Sequence, residues 1–163
     1  MRRLLEVLLI SFVVLGLAAC SGIKKKGEED AAGGDGSSSS EMPLSGDDAQ
    51  GMLSKRVIYF EFDSSVVQQE YKEVLAAHAE NVAAHPDISI VLEGHADERG
   101  TREYNIALGE RRAKAVQQLL TVQGVAQKQL QVISFGEERP VALGHDESAW
   151  SLNRRVELLY SGE

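Results

Sequence analysis

The sequence predicts an α+β sandwich over residues 53–163, a sheet with helices packed on it in the order βαβαβ(α)β. Three observations carry this. Short apolar runs rich in β-branched and aromatic residues alternate with stretches whose apolar residues recur every three or four positions. Punctuating residues, Pro86 and Gly124 among them, fall between the two kinds of segment. Composition also changes at Leu53, after which lie nearly all the aromatic and β-branched residues that follow Cys20. The 111 residues from Leu53 onward suffice for one compact core. No internal repeat interrupts them.

Each element has its own signal. Val57 to Phe60 is a nearly continuous apolar run of β-formers, read as a buried strand. Gln68 to Ala84 is helical, with Tyr71, Val74, Leu75, His78 and Val82 three or four apart. Pro86 ends that helix because it has no N–H to donate. Ile88 to Glu93 alternates as a strand, with Ile88, Ile90 and Leu92 on one face. Thr101 is an N-cap for a helix running to about Gln123, and Gly124 is its stop. Leu130 to Phe135 is a third strand, Ser148 to Asn153 a short helix that Asn153 caps, and Arg155 to Tyr160 a last strand. This pattern leaves the direction of the last strand open.

The residues before Leu53 are of another kind. Arg2 and Arg3 precede Val7 to Ala19, 13 residues without charge. A bilayer span needs about 20 residues, so this is the core of a signal peptide, residues 1–19. The end of the run, Leu17, Ala18, Ala19 and Cys20, resembles the bacterial lipobox. That resemblance implies cleavage before Cys20 and acylation of Cys20, which inserts into outer-membrane lipid. Several acyl chains at about 0.8 kcal/mol per buried methylene hold firmly where one does not. Ser21 after the cysteine resembles an outer-membrane sorting signal.

Residues 20–52 then read as the lipidated cysteine and a flexible polar tether. From Gly27 to Gly51 there are six glycines, five serines and seven acidic residues, with no basic or aromatic residue. Such a stretch buries too little apolar surface to offset its ordering entropy. Its reach is about 30 Å as a coil and about 110 Å drawn straight. Lys24, Lys25 and Lys26 form a solvated charge cluster beside the membrane anchor.

Charge and composition exclude several functions. The net charge is −8, and an acidic chain repels phosphate backbones, which argues against nucleic-acid binding. Cys20 is the sole cysteine, so no internal disulfide forms. His78, His85, His95 and His145 are scattered without metal-site spacing, so neither metal nor cofactor is expected. His95 reads as a structural histidine hydrogen-bonded to the loop backbone. Adjacent loop carboxylates such as Asp97 and Glu98 normally point apart, and no Gly-x-Ser-x-Gly occurs, so no catalytic set is read and the chain is not expected to be an enzyme.

Three polar clusters lie where apolar elements end, the usual place for a binding surface. Glu61, Phe62 and Asp63 leave the first strand. Gly94 to Gly100 leaves the second and enters a helix. Within that helix Asn105, Leu108, Gly109, Arg112, Val116 and Leu119 share one face, which places Arg112 on the inward stripe. A buried arginine calls for an anionic partner. Spacing alone leaves two accounts open. In one, Asp97 or another carboxylate simply neutralises Arg112. In the other, Asp97 and Arg112 flank a cleft and divide a zwitterion, ammonium to Asp97 and carboxylate to Arg112. Asn105 and the N–H groups of the helix start add hydrogen bonds in the second account.

The stretch GHADERGTREYNIALGERRA, Gly94 to Ala113, resembles the signature of OmpA-like peptidoglycan-binding domains. YFEFDSS from Tyr59, SFGEERPVALGHDESAW from Ser134 and NRRVEL from Asn153 are similar to other parts of the same family. The resemblance covers about residues 55 to 160, and its lipid-anchored members share the lipobox and tether. It implies a mixed sheet and a ligand, the diaminopimelate residue of a peptidoglycan stem peptide. It also selects the zwitterion account, carrying Asp97 and Arg112 as main contacts, with Asn105, Phe62, Asp63, Ala96 and Leu108 lining the pocket. Lipid-anchored members also bind TolB within the Tol-Pal system, through the face that meets peptidoglycan. The chain departs from the family pattern at Arg102, where proline is frequent, and at Ser151 and Leu152. Rival readings are a hydrolase of the same polymer and a protein-interaction module. Trp150 and Tyr160 are expected in packing, and Arg154 and Arg155 as braces of the sheet edge or cleft.

Overall fold

A computed structural model describes residues 46–161. Cys20, the expected signal peptide and most of the expected tether lie outside the described residues. Four strands form one mixed sheet: β1 (Val57–Tyr59), β2 (Ser89–His95), β3 (Leu130–Gly136) and β4 (Arg155–Ser161), in the order β1-β4-β2-β3. β4 runs antiparallel to both β1 and β2, which resolves the direction that the pattern left open, and β2 and β3 are parallel. Phe60 continues the first strand's pairing through a 2.9 Å bond from its N–H to the Arg154 carbonyl.

The helices are α1 (Gly46–Leu53), α2 (Lys72–Ala84), α3 (Arg102–Val122) and α4 (Glu147–Asn153). Helix α1 runs from Gly46 into Leu53 and so occupies the last residues of the stretch 20–52 expected as tether. Met52 and Leu53 are half-buried and α1 packs against α2, so tertiary contact stabilises a short helix that composition alone disfavours. The first turn of the helix expected over Gln68 to Ala84, Gln69–Tyr71, is a 3₁₀ turn that leads into α2.

The core lies between the sheet and helices α2 and α3. Ile58, Leu75, Val82, Ile90, Leu92, Val116, Leu120 and Leu158 are fully buried there. The expected inward stripe of α3 is buried at Asn105, Leu108, Gly109, Arg112 and Val116, with Leu119 half-buried. Thr101 caps α3, its side chain accepting from the Tyr104 N–H at 3.2 Å. Gly124 ends it at φ 102°, a conformation that glycine adopts without a Cβ penalty. Arg102 opens α3 and bonds Glu138 at 2.5 Å.

Two side chains hold segments that the sequence pattern passes over. The buried Gln129 amide donates to the carbonyls of Val82, His85 and Ile88, closing the end of α2 onto the start of β2. Asn153 does not cap α4: Asp146 caps its start, its side chain accepting from the Ala149 N–H, and Arg154 follows its last residue as the C-cap. Asn153 instead accepts from the N–H groups of Val141 and Ala142 and donates to the Ala142 carbonyl, bracing the loop before α4.

Candidate functional site

The site forms where β2 ends and α3 begins. Strand β2 delivers Ala96 and Asp97 to the top of the sheet, and α3 crosses β2 at Gly109. The turn after Phe60 brings Phe62 and Asp63 to the same place. Asp63 has φ 51°, a left-handed conformation that aspartate tolerates better than most residues, and it accepts a hydrogen bond from the Tyr104 hydroxyl.

A cleft of about 220 Å³ lies here, lined by Phe62, Asp63, Asp97, Arg99, Gly100, Tyr104 and Leu108. Four residues expected from the sequence therefore meet: Phe62, Asp63, Asp97 and Leu108. Three others do not line this cleft. Ala96 borders a second cleft of about 380 Å³, together with Glu98, Glu137, Leu143 and His145. Asn105 is 1 % exposed and donates from its amide to Glu137. Arg112 is fully buried.

Arg112 corrects the expected anionic partner. Its guanidinium donates to three backbone carbonyls: Ser64 at 2.8 Å, His95 at 2.8 Å and Glu61 at 3.1 Å. One planar fork thus pins the turn after β1 to the end of β2, and both to α3. Burial pushes its pKa down to about 10, a fall that the charges of Asp97 and Asp63 oppose.

Asp97 is paired, but with other arginines. Its Oδ1 accepts from the Arg99 backbone N–H and from Arg99 Nε, both at 3.1 Å, and its Oδ2 from Arg99 Nη2 at 2.7 Å. Arg154 Nη1 stands 3.5 Å from the same Oδ2. Burial pushes the Asp97 carboxyl up, but the bonds from Arg99 and Arg154 outweigh it and hold the group below its ordinary range. The Arg99 guanidinium lies between two rings, 4.0 Å from the Phe62 centroid and 4.1 Å from that of Trp150.

Sequence reasoning missed Arg99, Gly100 and Tyr104 as cleft residues. Arg99 was legible only as a loop charge, because spacing shows that Asp97 and Arg99 are two apart but not that a bidentate pair closes between them. Arg154 does brace the site, as expected, bonding the Phe60 carbonyl at 3.0 Å and Glu147 at 2.5 Å. Arg155 bonds Glu157 at 2.6 Å. Trp150 packs at the rim and donates to Glu98 at 2.9 Å. His95 differs from expectation. It is 1 % exposed and stacked on Phe135, and among the described residues neither ring nitrogen has a hydrogen-bond partner, Glu157 Oε1 standing 3.9 Å from Nε2.

Comparison with known proteins places these features in context. The family model described as "OmpA family" matches residues 59–154. A peptidoglycan-associated lipoprotein of Pseudomonas aeruginosa is 49% identical over 138 residues, 85% of this chain and 82% of that protein. One of Pasteurella multocida is 43% identical over 98% of this chain and 100% of its own length. The crystal structure of the peptidoglycan-associated lipoprotein from Burkholderia pseudomallei superposes with a TM-score of 0.67 at 49% identity, covering 68% of this chain and 93% of that one.

Proposed function

The chain belongs to the OmpA family, among its peptidoglycan-associated lipoproteins, and from that premise we propose that it ties the outer membrane to the cell wall by gripping a peptidoglycan stem peptide. The family is one of binding proteins, and the clamp works without breaking a bond. The observation that carries the reading is the cleft itself: a buried, ionised Asp97 at the meeting of β2 and α3, beside the apolar surfaces of Phe62 and Leu108.

Diaminopimelate ends in an ammonium and a carboxylate on one carbon. Its ammonium goes to Asp97. Its carboxylate goes to Arg112, which is fully buried and is reached only when the turn after β1 moves aside, and which has engaged three of the five N–H donors that a guanidinium carries. The backbone N–H groups at the start of α3 favour the same negative charge. Phe62 and Leu108 pack on the methylene stem, and Asp63, held by Tyr104, borders the ammonium side. Asn105 and Ala96 act by position, Asn105 tying α3 to Glu137.

A few charge-assisted hydrogen bonds at about 1.5–3 kcal/mol each meet an association cost of about 4–15 kcal/mol, so single-site affinity is modest. Acylation of Cys20 into the outer membrane offsets this by raising the effective concentration of wall near the domain, which works from the periplasm.

The direct test is co-sedimentation of the full chain with purified sacculi, for wild type and Asp97→Asn, each first shown to be folded. Wild type should pellet and be released by excess soluble stem peptide, and Asp97→Asn should stay in solution. Equal pelleting of both would remove Asp97 from the site. Release of soluble muropeptides would favour the hydrolase reading.

A second partner is TolB, within the Tol-Pal system of outer-membrane integrity and division. The half-exposed Phe62 ring beside the loop from His95 to Arg102 offers a protein contact on the same face. Competition between TolB and stem peptide for the chain would support shared use of this face, and simultaneous binding would argue against it.

A further inference from the structure

We infer that Arg99 is a built-in competitor for the ammonium of the ligand: it holds Asp97 itself and passes to Glu147 when an ammonium arrives. The inference rests on the reading that Asp97 receives that ammonium, and it assigns Arg99 the task of setting affinity and selectivity there.

The argument begins with the lone pairs of Asp97. Oδ1 already accepts two N–H groups of Arg99, and Oδ2 accepts a third at 2.7 Å with Arg154 at 3.5 Å. A carboxylate offers about four acceptor sites, so little capacity remains for a further strong donor. Charge makes the same point. One buried anion already faces two guanidinium groups, and a third cation could join only at a large cost in uncompensated charge. One of the two must therefore leave.

The surroundings decide which. The Arg154 side chain is 5 % exposed and is fixed by the Phe60 carbonyl and by Glu147. The Arg99 side chain is 29 % exposed and lines the cleft. Beyond Asp97, its guanidinium lies on the faces of Phe62 and Trp150, which hold a cation without directional bonds and let it slide. A second carboxylate waits along that slide: Glu147 Oε2 is 3.5 Å from Arg99 Nη2. The shift from Asp97 to Glu147 keeps Arg99 paired and stacked while freeing Asp97. The Arg99 backbone N–H can keep its bond to Oδ1 throughout, so the loop need not unfold.

A site held closed by its own side chain binds more weakly by the fraction of time it is open. If the open fraction is about a tenth, removing Arg99 strengthens binding about tenfold. Ligands lacking the ammonium gain nothing, because they do not compete for Asp97. Arg99 thus also excludes weaker cations that cannot displace a bidentate pair.

The test is calorimetric titration of the full chain in detergent with a stem peptide that ends in meso-diaminopimelate. The same peptide acetylated on the diaminopimelate side-chain amine is the second ligand. Two variants guard against a local collapse: Arg99→Ala, and Arg99→Gln, which keeps most of the stem. Both should bind the free-amine peptide about three- to tenfold more tightly, and neither should gain for the acetylated peptide. In wild type, the Arg99 Nε–H resonance should shift and exchange faster with water once peptide is added. Unchanged or weaker binding by both Arg99 variants, or an Arg99 resonance that does not move, overturns the competitor role. Asp97→Asn separates the two claims. If it binds like wild type, the assignment of ammonium to Asp97 has failed. If it binds poorly while the Arg99 variants show no gain, the competitor role alone has failed.

Discussion

Gly94 on β2 and Gly109 on α3 meet with no room for a side chain between them: a Cβ on Gly94 would stand 1.9 Å from the Gly109 carbonyl oxygen. This crossing sets how closely α3 lies over β2 and hence where Asp97, three residues beyond Gly94, emerges beside Leu108. A Cβ on Gly109 would meet the Ser134 hydroxyl at 2.5 Å and the Gly94 carbonyl at 2.8 Å. Gly94→Ala should therefore destabilise the domain by about 3 kcal/mol or more, and Gly109→Ala by somewhat less, since part of its clash falls on a side chain. Urea titrations of the two variants check both the sizes and their order.

Arg112→Lys should be costly to stability although it keeps the charge. An ammonium is a single point of donation and cannot span the carbonyls of Glu61, Ser64 and His95 as the planar fork does. A loss of about 2–4 kcal/mol is expected in denaturant unfolding. A loss below 0.5 kcal/mol would show that the three-way staple is replaceable.

His95 should make stability depend on pH. Burial, with help from the charge of Arg155, pushes its pKa down to about 4, against an ordinary value near 6.5. Between these values the unfolded chain binds a proton that the folded chain refuses, so stability falls as pH falls from about 6.5 to 4. The loss reaches up to about 3 kcal/mol. The depressed Asp97 carboxyl works at lower pH, its stabilisation being lost as pH falls through its folded pKa, below 3.8. His95→Gln should shrink the upper window, leaving the part that belongs to His78, whose pKa burial also pushes down, and leave the lower one. Thermal unfolding at half-unit steps of pH measures both.

Cys20→Ala should move the protein from the membrane to the soluble envelope fraction without changing affinity for a soluble stem peptide. Fractionation and titration of the same preparation give the two readouts. Continued membrane association would mean that acylation of Cys20 is not the anchor.

The elements of the fold were legible where hydrophobic periodicity is strong. The Thr101 cap, the buried stripe of α3 and the strand from Leu130 all follow from local spacing and termini. Helix α1 was not, because its stability comes from docking on α2 rather than from its own composition. The strand order was not either, since nothing local tells β4 to enter between β1 and β2. At the site, Asp97 was visible as a charge in the loop after β2 and Arg112 as one on the inward stripe of α3, but their partners were not. Spacing suggested that a buried arginine meets a carboxylate, whereas Arg112 meets three carbonyls from segments 17 to 51 residues away. The carboxylate went to Arg99, a neighbour in sequence whose path between Phe62 and Trp150 only the tertiary fold defines.

The central claim, that the Asp97 cleft receives a stem peptide, is tested most directly by following backbone amide resonances of the full chain as a diaminopimelate-containing stem peptide is added. The account predicts that the largest shifts fall on Phe62, Asp63, Asp97, Gly100, Tyr104 and Leu108, and that Asp97→Asn abolishes them. Shifts concentrated instead around Glu137 to His145, or none at saturating peptide, would contradict it.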